Sequence, residues 1–137
     1  MPAYVLDASA LTALFQDEPG GPRVEDLIYS ARSGVNTMSI AVVNLGEVLY
    51  TLTKRRGAEA RRRALRRISM WPLEVVDADF ELTLQAAILK SGHNLGYMDA
   101  FAVALARRQR ATLLATDTDF ERVLQVVKVE FLPHATR

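Results

Sequence analysis

Short apolar runs alternate with longer stretches of helical periodicity along this chain. Tyr4-Val-Leu-Asp7 is an apolar run ending in an acid, and Ala8 to Phe15 has helical composition until Pro19-Gly-Gly-Pro22 stops it. The alternation recurs, with Val35 to Met38 leading into a helix from about Ile40 to Lys54, and Leu73 to Val76 into one from about Asp79 to Lys90. A helix from about Met98 to Arg110 carries Met98, Phe101, Ala102 and Leu105 on one stripe and runs into a strand over Thr112 to Ala115. A short helix begins near Thr118, and Val126 to Val129 reads as a last strand. Strands alternating with helices predict an α/β fold, a mainly parallel central sheet flanked by helices. Lys54 to Arg63, with Gly57 inside it, reads as an exposed joint between two helices. No repeat or long linker interrupts the pattern, so residues 1–137 are expected to form a single domain.

In a parallel sheet the crossover helices run opposite to the strands, so helix N-termini share an edge with strand C-termini, and ligand sites form on that edge. Asp7 ends the first strand and Asp117 follows the Thr112 to Ala115 strand; Asp99 opens the preceding helix, and Glu47 lies about two turns into the helix after the Val35 strand. All four acids belong to one edge. Singly, most have an ordinary role, because carboxylates suit first helical turns. Asp99 and Asp119 fit that role, Thr118-x-x-Glu121 reads as a capping box, and Asp77 or Asp79 reads as the N-cap of its helix. Asp7 and Glu47 resist it, since strand ends seldom favour an acid and Glu47 sits among Leu45, Val48, Leu49 and Leu52, the stripe expected to face the core.

Half of the 137 residues are hydrophobic, enough for one core, and no apolar run approaches the roughly 20 residues that span a bilayer. With no basic stretch, hydrophobic block and cleavage site at the start, a cytoplasmic location is expected. There is no cysteine and there are two histidines, His93 and His134, so a thiolate nucleophile, a zinc–cysteine site or a multi-histidine metal centre is excluded. Converging carboxylates cost on the order of 1–4 kcal/mol per close pair and need a counter-charge. Mg²⁺ suits such oxygen ligands, keeps positions open for phosphate and activates water without histidine. Eight of the seventeen Lys and Arg fall between Lys54 and Arg67, opposed only by Glu59. That run is either a solvated helix face or a surface for a polyanion.

Val5-Leu-Asp7-Ala-Ser9, Val43-Asn-Leu-Gly-Glu47-Val, Tyr97-Met-Asp99-Ala-Phe-Ala-Val-Ala-Leu-Ala106 and Leu114-Ala-Thr-Asp117-Thr-Asp119-Phe120 together resemble the four acidic motifs of PIN domains, the VapC-type toxins of bacterial toxin–antitoxin pairs most of all. The resemblance spans nearly the whole chain. It implies an RNA-cleaving, Mg²⁺- or Mn²⁺-dependent endonuclease, a homodimer held inactive by a cognate antitoxin, and no membrane association. By match, Asp7, Glu47, Asp99 and Asp117 take the catalytic positions, with metal held by Asp7 and Asp99 and by Glu47 and Asp117 directly or through water. Ser9 either orients water or phosphate or caps the first helix; Asn44 hydrogen-bonds Glu47 or satisfies backbone; Asp119 assists or replaces Asp117. Beside an acidic site, Arg61, Arg62 and Arg66 become an RNA-facing or partner-facing surface.

Rival readings fare less well. An aspartyl phosphatase needs a second acid where Ser9 stands, and a receiver domain needs an acidic pair before the first strand's acid and a late lysine. A non-toxin PIN nuclease keeps the chemistry and drops the antitoxin. A non-catalytic RNA- or protein-binding module leaves Glu47 unexplained.

Overall fold

The computed structural model describes residues 1–134. Five strands, β1 (Ala3–Leu6), β2 (Thr37–Ala41), β3 (Leu73–Val76), β4 (Thr112–Ala115) and β5 (Val129–Phe131), form one sheet in the order β3-β2-β1-β4-β5. Every neighbouring pair is parallel; Tyr4 sits opposite Met38 on one side and Thr112 on the other. Helices α1 (Ala8–Phe15), α2 (Gly21–Arg32) and α3 (Val42–Ser69) pack with Leu6, Ile40 and Leu114. The opposite layer is α4 (Phe80–Gly92), α5 (Tyr97–Gln109) and a 3₁₀ turn over Thr118–Val123, packed with Val5, Leu113 and Ala115. Neighbours along a strand thus feed opposite cores, and a sheet covered on both faces explains strands that read as unbroken apolar runs. Among the described residues no helix is long and apolar enough to cross a membrane.

Strands β3 and β4 and the joint at Gly57 fall where the pattern predicts them, but three details differ. Helix α2 replaces a simple stop at Pro19–Pro22: Pro22 stands in its first turn, where a missing N–H costs nothing, and Val24, Leu27 and Ile28 are its buried stripe. Strand β2 lies later than Val35–Met38, because buried Ser39 continues the strand to Ala41 and delays the helix to Val42. The last strand likewise begins at Val129, since the N–H groups of Val126 and Val127 bond back to Val123 O in a turn. The expected joint is a kink inside α3 at Gly57, whose φ of 86° and ψ of 176° are non-helical and suit glycine.

From β1 the chain winds outward through β2 to β3, then returns to place β4 on the other side of β1. The strand order therefore reverses between β1 and β4, the position at which open α/β sheets form a crevice beyond their carboxyl ends.

Candidate functional site

Asp7 stands at this crevice. Its N–H continues the β1–β4 ladder to Leu114 O at 2.9 Å, and its own backbone, extended at φ −73° and ψ 160°, is the N-cap of α1. Its Oδ2 accepts from Ser9 N at 3.1 Å and from Ser9 Oγ at 2.7 Å. Capping of α1 thus falls to Asp7, while the Ser9 hydroxyl also accepts from Thr116 N at 3.0 Å and ties the start of α1 to the loop after β4. The other carboxyl oxygen, Oδ1, is buried with no hydrogen-bond partner. Burial pushes the Asp7 carboxyl up from 3.8 to about 6, with repulsion from Glu47 adding and the Ser9 bonds opposing.

Asp99 lies in the first turn of α5, half-buried. Burial, then the charges of Asp7, Asp117, Glu47 and Asp119, in that order, raise its carboxyl from 3.8 to about 7. Asp7, Glu47, Asp99, Asp117 and the neighbouring Asp119 therefore share one field.

Glu47 is held by a second clamp. Asn44, one turn earlier on α3 and fully buried, donates through Nδ2 to Glu47 Oε1 and to Met98 O, both at 3.0 Å. It thereby serves the acid and the backbone at once, and joins α3 to the residue before Asp99. Asp117 caps the 3₁₀ turn, accepting from Asp119 N at 2.9 Å, so the cap is Asp117 and not the Thr118–Glu121 box. Asp119 is exposed and faces Arg122 at 3.5 Å. Asp79, accepting from Leu82 N at 2.8 Å, is the N-cap of α4.

Among the described residues no three carboxylate or imidazole groups close on a common point tightly enough to hold a metal ion. Glu47 and Asp117 are turned to Asn44 and to the Asp119 N–H, so the four acids form an open cluster and not a finished shell. The donor set nevertheless fits a hard divalent cation: every candidate ligand is oxygen, Asp7 Oδ1 is unused, and the charges that raise Asp99 are those a cation would relieve.

His93 and two aromatic side chains have contacts of their own. His93 Nδ1 lies 3.0 Å from Leu89 O at the end of α4, and His134 is exposed. Trp71 stacks on Phe15, and Tyr97 leans on Phe101. On the second half of α3, Arg62 and Arg66 pair with Glu59 at 2.9 Å and 3.4 Å, and Arg61 donates to Thr53 Oγ1 at 3.4 Å.

A family model described as "PIN domain" matches residues 4–124. No curated protein sequence matches the chain. VapBC2 from Rickettsia felis, solved bound to a DNA fragment from its promoter, is similar over 96% of this chain and 99% of that one, at 21% identity and a TM-score of 0.73. VapC20 of Mycobacterium tuberculosis, a sarcin–ricin-loop-cleaving toxin, gives 21% identity and a TM-score of 0.73 over 95% of this chain and 99% of that one. DNA-bound VapBC from Salmonella typhimurium gives 18% and 0.75 over 96% and 98%. At these identities the likeness is one of fold.

Proposed function

This chain belongs to the PIN-domain family, and from that premise we propose that it is a metal-dependent endoribonuclease acting as the toxin of a toxin–antitoxin pair. The observation that carries the nuclease reading is the mutual field of Asp7, Glu47, Asp99 and Asp117 at the switch point of the sheet. The toxin role is supported by the likeness to VapBC complexes and to a toxin that cleaves the sarcin–ricin loop. Residues 1–137 are read as one nuclease domain, cytoplasmic and homodimeric, with RNA as substrate and an antitoxin as partner.

Asp7 and Asp99 would hold Mg²⁺ or Mn²⁺, with Glu47 and Asp117 contributing directly or through water. When bound, the cation supplies counter-charge, Lewis acidity toward a phosphoryl oxygen and activation of water. The chain's own residues supply the positioning. Ser9 fixes Asp7 Oδ2 and leaves the buried Oδ1 without a partner; Asn44 fixes Glu47 and the start of α5. Water adds to phosphorus, the P–O3′ bond breaks, and the 3′ oxygen leaves as a hydroxyl, giving a 5′-phosphate.

Induced expression in a bacterial host, followed by sequencing of RNA ends, tests this reading. The wild type is expected to arrest growth with new RNA ends at defined sites, and Asp99→Asn to do neither. Arrest by Asp99→Asn equal to that of the wild type contradicts it.

A further inference from the structure

Helices α1 and α3 both leave the acidic edge and run down the same face of the sheet, and between them opens a cavity of about 240 Å³. Phe15, Leu52, Ala60 and Ala64 line it, together with Arg56, Arg63 and Arg67. The kink at Gly57 sorts the arginine run. Arg56 ends the first segment of α3, and Arg63 and Arg67, one turn apart on the second, meet it across the same hole. Glu59 occupies Arg62 and Arg66, whereas among the described residues no carboxylate lies within ion-pair distance of Arg56, Arg63 or Arg67. The Arg67 guanidinium lies 5.2 Å from the Phe15 ring centre and 5.4 Å from that of Trp71, over two rings stacked 5.6 Å apart. That stack restrains the cation without neutralising it.

The cavity stands at a definite distance from the acids. At 1.5 Å per residue, α1 rises about 12 Å from Asp7 to Phe15, and α3 rises about 14 Å from Glu47 to Arg56. Four carboxylates repel a polyanion, so a substrate carrying phosphates must be held by cations set back from the crevice. All three cations lie on α3, the helix that carries Glu47, while α1, capped by Asp7, contributes Phe15 to the cavity wall.

We propose that the cavity between α1 and the kink of α3 is a second RNA contact, in which Arg56, Arg63 and Arg67 bind backbone phosphates of single-stranded RNA flanking the scissile bond. This rests on the nuclease reading and adds to it the residues that grip substrate away from the chemistry. Within the arginine run, the free cations around the cavity grip RNA more strongly than Arg61, Arg62 and Arg66, whose guanidinium groups already have partners.

Fluorescence anisotropy of a short labelled single-stranded RNA, titrated over a salt series in excess chelator, measures the contact without turnover. R56Q/R63Q/R67Q should weaken binding and flatten the slope of log affinity against log salt by about 2, at roughly 0.7 per phosphate contact. R56Q/R63Q, which keeps the aromatic stack intact, should flatten it by about 1.4 and melt like the wild type. R61Q/R62Q/R66Q should change the slope by less than half as much as the first triple. Unchanged slopes in both cavity variants, or equal flattening by both triples, overturn the proposal. Loss of binding to poly-glutamate with RNA binding unaltered would assign the cavity to an acidic protein partner and overturn it too. A chain that binds RNA through these arginines yet never cleaves it would sink the nuclease reading and leave the contact standing.

Discussion

Asp99→Asn removes one charge from the crowded edge while keeping the side chain's shape, and in metal-free protein it should stabilise the fold. Below about pH 3.8 the Asp99 carboxyl is neutral in both folded and unfolded chains. From there to about 7 only the unfolded chain ionises, so the wild type loses stability as pH rises through that window and levels off above it. A carboxyl raised from 3.8 to about 7 corresponds to at most about 4 kcal/mol, at 1.4 kcal/mol per tenfold change in proton affinity. Partial exposure and salt screening bring the expectation to about 2–4 kcal/mol. Urea unfolding in chelator reads this directly. With a denaturant slope of about 2 kcal/mol per molar, the mutant midpoint should exceed the wild type's by about 1–2 M at pH 8 and match it near pH 4. Mn²⁺ at about 1,000 times its Kd should cancel or reverse that order, because it adds about 4.1 kcal/mol to a protein that binds it. A mutant midpoint at or below the wild type's at pH 8 in chelator, or a gap that does not change with pH, would refute the reasoning.

Other outcomes follow from the same contacts. Ser9→Ala strips Asp7 Oδ2 of a donor and leaves Thr116 N without its acceptor, which should cost about 1–3 kcal/mol in urea unfolding and raise the Asp7 carboxyl further above about 6 in an NMR titration. Because Asp7 and Asp99 must shed protons to bind metal, Mn²⁺ affinity by calorimetry should tighten as pH rises from 5 to 7 and flatten above that; a pH-independent affinity would remove them from the metal site. Asn44→Ala frees both Glu47 and Met98 O, so cleavage should fall tenfold or more while stability drops by about 1–3 kcal/mol. Gly21→Ala would set a Cβ 2.9 Å from Ala13 O at the tight junction of α1 and α2, and thermal unfolding should show a loss of about 1–3 kcal/mol.

The acidic edge is legible in the amino-acid sequence, because a short apolar run ending in an acid marks both strand and direction, and direction alone sends Asp7, Asp99, Asp117 and Glu47 to one side of a parallel sheet. Helix α2 is legible in principle. Val24, Leu27 and Ile28 have helical spacing, and Pro22 marks a helix start as well as a stop. The pairs that orient the site are not. Ser9 and Thr116 are 107 residues apart, and Asn44 and the Met98 carbonyl are 54 apart, so only the tertiary fold brings them together. The arginine run shows the same limit. Charge counting finds the field, and helical spacing gives Arg62 and Arg66 to Glu59, but only the kink at Gly57 and the packing of α1 set Arg56, Arg63 and Arg67 around one cavity with Phe15.

The central claim is that carboxylates at the β1–β4 switch point cleave RNA with the help of a divalent cation, and end-group mapping of RNA digested by the purified chain tests it most directly. With Mg²⁺ or Mn²⁺ the products should carry 5′-phosphate and 3′-hydroxyl ends, and cleavage should vanish in excess chelator and in Asp7→Asn, Glu47→Gln and Asp99→Asn. Cyclic 2′,3′-phosphate ends, or undiminished cleavage in chelator, would contradict the account.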